Sequence, residues 1–230
     1  FFEFFILFFF SIFASLLLVS SYDLLSTYLL LELQALCFYI LAGIKRNSTF
    51  STEAALKYFL TGSFFSCVFL FGVLLLYSEF GTTNYYYINL LTLFAYNGAF
   101  ENINILVLSG TLLILIAFFF KLAIAPFHFW VPDVYDGAPL SSTVLLAVLP
   151  KIIIFTALIR FLLANVNALK NVGFVFYIGA VISIVWGTFC ALKQKRIKKL
   201  FIYSSITQLG FVLLALSFFS KNSIAVIFFF

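Results

Sequence analysis

The sequence predicts an all-α polytopic membrane protein, on three observations. Of its 230 residues, 65% are hydrophobic and 9% charged, against roughly 45–50% and about 25% in soluble domains. The apolar residues form unbroken runs near the ~20 residues that cross about 30 Å of hydrocarbon, whereas barrel strands alternate over ~10. Four ionisable residues, Glu32, Lys57, Lys121 and Lys151, stand inside those runs. A charge there costs about 2.5–3.5 kcal/mol on insertion scales, and such groups mark bundle interiors, wet cavities or ion and proton paths. The chain therefore reads as a membrane protein that moves charge.

Run 4–20 is the shortest span. It lacks a basic leader and a small-residue cleavage site, so it reads as a span and not a signal. Span 24–43 carries Glu32 in Tyr28-Leu-Leu-Leu-Glu32-Leu-Gln34-Ala-Leu-Cys-Phe-Tyr39. Alone in lipid this carboxyl is protonated; beside a lysine it ionises. Pairing with Lys121 or Lys57 gives a switchable pair with coupled titration, and the sequence leaves that choice open. Span 53–77 holds Lys57 near its inner end, one turn after Glu53. A local i,i+4 pair, worth a few tenths of a kcal/mol, is the alternative there to a functional lysine. Segment 78–103 is the longest connection, polar and rich in tyrosine (Tyr85, Tyr86, Tyr87), and is expected along the outer surface with its tyrosines at headgroup depth.

Span 104–125 places Lys121 five residues before Pro126. Proline removes a backbone donor and clashes with the preceding turn, so the helix is expected to break there. In transporters such breaks sit where carbonyls and helix ends meet ions and water. A lysine beside the break is hydrated enough to exchange a proton; the alternative is a loop-ending proline with a snorkelling lysine. His128 follows in the loop, as a helix cap or an intake relay, since its unperturbed pKa is about 6.5. Span 141–164 carries Pro150-Lys151 at mid-depth, roughly 15 Å from either boundary and too deep for easy snorkelling. An amine out of water is available as neutral base or as cation, which a proton relay needs; the alternative is a structural ion pair. Spans 172–192 and 198–219 follow, and an eighth run begins at 223 and reaches Phe230 after about eight apolar residues, too few to cross. We therefore expect one membrane domain over 1–230, with a continuation or a second polypeptide completing the bundle.

Net charge is +5, and its placement sets topology. Alternate loops collect Lys45, Arg46, Lys193, Lys195, Arg196, Lys198 and Lys199 on one side, while Lys170 and Lys221 lie opposite with Asp23, Glu79 and Glu101. Basic loops face the matrix or cytoplasm, and nucleic-acid binding is not needed to explain them. Cys37, Cys67 and Cys190 lie within spans without C-x-x-C spacing and read as small apolar packing residues. No phosphate loop, Ser/His/Asp arrangement, or haem or iron–sulfur pattern is present, so redox chemistry belongs on other chains. The 35 Phe suggest an AT-rich coding genome of organellar type, and the absence of Met at position 1 suggests a start that is missing or processed.

Leu31-Glu32-Leu33-Gln34, Ser51-Thr52-Glu53-Ala-Ala-Leu-Lys57-Tyr58-Phe59, Lys121 to Pro139, Leu149-Pro150-Lys151 and Lys195-Arg196-Ile-Lys-Lys-Leu-Phe-Ile-Tyr203-Ser204-Ser205-Ile206 resemble the antiporter-like membrane subunits of respiratory complex I, NADH–ubiquinone oxidoreductase. Asp133-Val-Tyr-Asp136-Gly137-Ala-Pro139 favours the chain 2 branch over chains 4 and 5 and over multisubunit cation/proton antiporters. The resemblance implies an antiporter-like fold of two inverted five-helix repeats, each with a broken helix. The present chain would supply the first repeat, broken near Pro126, and the start of the second, beginning at the fourth helix of longer forms. It also implies that Glu32 is the family's glutamate, Lys121 its broken-helix lysine, Lys151 its central-axis lysine and Lys57 a further lysine of the hydrophilic path. The second broken helix and its exit-side lysine would lie beyond Phe230, and Gln208 stands where relatives often carry His. The function implied is proton translocation in the mitochondrial inner membrane, with loops 45–46 and 193–199 on the matrix side. NADH, FMN, iron–sulfur clusters and ubiquinone are expected on other subunits, and the partners are neighbouring antiporter-like and other membrane-arm subunits and lipid. A redox-independent cation/proton antiporter subunit and a purely structural membrane-arm subunit are the competing readings.

Overall fold

Why these runs become helices follows from the solvent: in hydrocarbon each backbone polar group must find its partner within the protein, and a helix does this locally. The computed structural model describes residues 2–94, 105–164 and 173–218; Glu101, Lys170, Lys221 and the run from 223 lie outside them. Among the described residues the order is α1 (Phe2–Ser20), α2 (Leu24–Ala42), α3 (Thr49–Phe80), α4 (Tyr85–Phe94), α5 (Ile105–Leu122), α6 (Trp130–Gly137), α7 (Leu140–Ala164), α8 (Gly173–Leu192) and α9 (Ile197–Ser217). All but α4 and α6 are long and apolar enough to cross a membrane. The chain is a multi-pass, all-helical membrane protein, and its exposed Phe9, Phe13, Leu16 and Phe64 are what a lipid-facing surface requires.

α3 extends past the expected 53–77 at both ends. Ser48 caps it, its Oγ accepting from the Ser51 amide at 3.3 Å, and the Ser51 hydroxyl donates to Ala42 O at 2.7 Å, closing the turn from α2. Gly81, at φ 65, ends it in the left-handed region that glycine adopts without strain. Thirty-two residues make roughly 48 Å of helix, well beyond the hydrocarbon thickness, so the Glu53–Lys57 turn lies toward one end. α3 meets α5 where Gly72 and Gly110 face one another; a Cβ on Gly72 would come 2.9 Å from Gly110 O, and one on Gly110 3.0 Å from Gly72 O. The two backbones touch because neither has a side chain there.

Segment 78–103, described as far as Phe94, departs from expectation at Tyr85. Thr83–Tyr85 pair with Tyr22–Leu24 through Leu24 N–H to Thr83 O (2.9 Å) and Tyr85 N–H to Tyr22 O (3.0 Å), and α4 packs on α7. Tyr86 and Tyr87 are exposed, but Tyr85 is buried and donates to Thr27 Oγ1 at 3.3 Å. At the same end Arg160 donates to Ser21 O at 2.9 Å and sits 5.1 Å over the Tyr22 ring. The opposite end gathers Arg46 with Glu3 (3.2 Å) and Asp136 with Arg196 (2.6 Å) and Lys199 (3.6 Å). Loops that alternate counting assigns to one side are joined by these contacts.

Among the described residues two apolar clusters form the interior. The larger includes Leu24, Ile114, Phe118, Leu158, Phe161 and Phe176; the smaller, around α6, includes Phe38, Tyr39, Tyr58, Phe120, Trp130 and Tyr135. The smaller cluster holds the site.

Candidate functional site

α5 ends earlier than Pro126 alone predicts. Ala123 sits at φ 63, and Ile124 N–H reaches back to Phe119 O (2.9 Å) while Ala123 N–H reaches Phe120 O (3.0 Å). This pair of bonds is the Schellman closure, usually built on glycine. It ends the helix at Leu122, four residues before the proline, and leaves Lys121 in the last turn, where the negative end of the helix dipole favours a cation. The chain then passes through His128 into α6, whose first turn tolerates Pro132 because its amide would lack an intrahelical partner anyway.

Lys121 crosses to mid-α2 and reaches Glu32, Nζ to Oε1 3.3 Å, with the side chains 9% and 24% exposed. Of the two lysines the sequence left open for Glu32, the geometry brings Lys121. Beside the pair lies a cavity of about 20 Å³ of space for water centres, lined by Lys121, Gln34, Tyr39, Tyr58, Trp130 and Pro150 among others. That is about the space one water needs. The Gln34 side chain lies in the interior, and its Nε2 has no partner among the described residues. Buried polar groups are ordinarily satisfied by protein or ordered water, so the donor set fits a solvent molecule. Gly62 makes room: a Cβ there would meet the Tyr39 hydroxyl. Tyr58 stacks on Trp130 with ring centres 4.7 Å apart and walls the cavity on one side.

Lys151 is not joined to Glu32. Its Nζ meets Ser205 Oγ at 2.8 Å, and that hydroxyl donates to Ile202 O at 2.7 Å. A neutral partner fits a lysine that changes charge better than a fixed ion pair would. The Lys151 amine points toward α9 while the preceding Pro150 lines the Lys121 cavity.

Lys57 lies near the end of its helix, where the sequence places it, and the local pair offered as the alternative to a functional lysine is formed. It is held by Glu53 at 2.9 Å, the local i,i+4 partner, and by Asp133 of α6 at 3.1 Å, with its side chain 47% exposed. These groups, with Asp136 and Arg196, line a cleft of about 410 Å³. His128 lies near Trp186 of α8, ring centres 6.2 Å apart; burial holds its imidazole below its usual 6.5, with the Pro126 backbone offsetting part of the shift, so it is neutral at pH 7. No hydrogen bond among the described residues links it to Lys121 or Lys151.

Sequence reasoning gave no role to Tyr135, Trp130, Ser205, Asp133 or Asp136. Trp130 Nε1–H donates to Phe120 O (3.0 Å) and the Tyr135 hydroxyl to Leu146 O (2.8 Å). A signal existed for the last: a proline inside a helix strands the carbonyl four residues before it, and Leu146 is that carbonyl for Pro150.

Residues 21–230 match the family described as NADH:quinone oxidoreductase/Mrp antiporter, TM. NADH-ubiquinone oxidoreductase chain 2 of Oenothera berteroana is 38% identical over 218 residues, covering 94% of this chain and 44% of the relative, so the chain spans less than half that relative's length. A chain of respiratory complex I from Thermus thermophilus with bound aureothin superposes with a TM-score of 0.78 at 34% identity, over 94% of this chain and 45% of that one. A chain of the Mrp complex from Dietzia sp. DQ12-45-1b shares the fold alone, with a TM-score of 0.74 at 23% identity over 85% and 35%. With nearly the whole sequence inside one family match and its helices laid out as in these complexes, the chain belongs to the NADH:quinone oxidoreductase/Mrp antiporter transmembrane family.

Proposed function

We propose that this chain forms a proton-translocating part of an antiporter-like membrane subunit of respiratory complex I. The observation that carries this reading is the largely buried Lys121–Glu32 pair at a helix break, beside a water-sized cavity lined by the unpartnered Gln34 amide. An enclosed amine and carboxylate cost free energy that apolar residues would not, which favours a use beyond holding helices together. When the field at the pair changes, Lys121 releases or takes up a proton with Glu32 as counter-charge. Lys151, whose partner among the described residues is the Ser205 hydroxyl, then gains or loses affinity for a proton. Lys57, Glu53 and Asp133 in the open cleft, with His128 in the neighbouring loop, supply the aqueous end.

In this reading NADH, FMN, the iron–sulfur clusters and ubiquinone are held by other subunits. Among the described residues Cys37, Cys67 and Cys190 stand on three separate helices, which gives no thiolate set for a cluster. The partners are neighbouring antiporter-like and other membrane-arm subunits. The membrane is the mitochondrial inner membrane, with loops 45–46 and 193–199 facing the matrix in accord with their charge. The relative named NADH-ubiquinone oxidoreductase chain 2 favours complex I over a redox-independent antiporter.

The test is Lys151→Ala in the assembled complex, reading protons moved per electron in sealed vesicles. A reduced ratio at normal assembly is expected; an unchanged ratio removes Lys151 from the relay. Co-purification with flavin and iron–sulfur subunits, expected here, separates this reading from the antiporter one.

A further inference from the structure

We propose that Tyr135 is a positioning residue for Lys151, acting by replacing the backbone donor that Pro150 removes, and that α6 thereby holds the frames of both interior lysines. The role given to Lys151 rests on the relay reading; the positioning itself does not.

Pro150 stands inside α7, a helix that continues on both sides of it. Without an amide hydrogen at 150, Leu146 O has no i+4 donor. Leu146 is 1% exposed, and in a bilayer no solvent is at hand to satisfy that oxygen. The Tyr135 hydroxyl does so at 2.8 Å, from a side chain that is itself 5% exposed. The bond spans the turn that ends at Pro150-Lys151, so it fixes how far α7 opens there and hence where the Lys151 side chain leaves the helix toward Ser205.

The other end of α6 reaches the backbone beside Lys121, at a carbonyl that already accepts from Ala123 N–H. Trp130 Nε1–H donates to Phe120 O at 3.0 Å, a carbonyl of the last α5 turn next to Lys121. The Trp130 and Tyr135 rings meet edge to face, 6.2 Å between centres. One eight-residue helix thus carries a buried donor to the backbone beside each lysine. It is tied to α3 by Asp133 with Lys57 and to α9, the helix of Ser205, by Asp136 with Arg196. A displacement of α6 moves the backbone beside Lys121 and the turn before Lys151 together.

The test is a double-mutant cycle in the assembled complex with Tyr135→Phe and Pro150→Ala. Tyr135→Phe keeps the ring and removes only the donor, leaving a buried carbonyl unpaired. Proton transport should fall about tenfold, with the midpoint of its pH profile displaced. Pro150→Ala returns an amide donor to Leu146 O, so in that background Tyr135→Phe should change transport less than about twofold, within the range of independent sites. Equal losses in both backgrounds, or no loss with Pro150 present, overturn the proposal. If Tyr135→Phe alone does not assemble, recovery of assembly by Pro150→Ala supports it and failure to recover overturns it. The cycle is also read on thermal inactivation of the complex, so the positioning claim is decided even if Lys151→Ala leaves the proton ratio unchanged and the relay reading fails.

Discussion

Lys121 reaches Glu32 at 3.3 Å and Lys57 reaches Asp133 at 3.1 Å, and only their surroundings separate the two pairs. The first lies between α2 and α5, its lysine side chain 9% exposed; the second lies in an open cleft, with its partners 47% and 54% exposed. An exposed pair gains and loses little, about 0–1 kcal/mol. An enclosed pair is costly to bring together and far costlier to break, because the partner left behind keeps its charge without solvent. Distance therefore does not rank these lysines, whereas enclosure does. In the proposed relay, the pair that holds its charges out of water is the one whose protonation a field drives, and the cleft pair is its aqueous end.

The largest effect expected from this contrast is that of Glu32→Gln. It strands the Lys121 ammonium and should destabilise the complex by about 3–5 kcal/mol if the amine stays charged, with proton transport lost. Adding Lys121→Met should recover most of the thermal stability, since apolar replacement of an enclosed pair is often neutral, without recovering transport. If the double variant still pumps, the enclosed pair is structural and the contrast fails.

The sequence showed the spans clearly, because long apolar runs have one reading in a bilayer. It showed α3 too short, since Ser48, Ser51 and Thr52 look like loop and act as a cap. α6 was legible only as a motif, eight residues bounded by a helix break and Pro139. Lys57 with Glu53 is a local pair that spacing alone suggests. Glu32 with Lys121 spans 89 residues of sequence and Lys151 with Ser205 spans 54, distances over which only packing decides. Asp133 as the second partner of Lys57 belongs to that class too.

A smaller effect is expected of Gln34→Leu, which acts inside the enclosed region without touching either charge. Removing the unpartnered amide relieves a desolvation cost of about 1–3 kcal/mol if the cavity is dry, so thermal stability should then rise. If the cavity holds water, the substitution removes one of its few polar neighbours. Stability should then change by less than about 1 kcal/mol, while proton transport slows and its solvent isotope effect shifts. A rise in stability with transport untouched would take Gln34 and the cavity out of the path, leaving the charged pair alone to account for the enclosed region.

The smallest effect belongs to Lys57→Ala. Its two carboxylate partners, Glu53 and Asp133, are both open to water, so the loss should be about 0.2–1 kcal/mol. Salt provides the discriminating measurement. The Debye length falls from about 10 Å at 0.1 M to 3 Å at 1 M, so in high salt the variant and the parent should converge in stability and in proton uptake rate. The difference between Glu32→Gln and its parent should persist, because ions do not reach that pair. If Lys57→Ala instead costs as much as Glu32→Gln and resists salt, the cleft is closed in the assembled complex. Lys57 would then belong with the enclosed lysines.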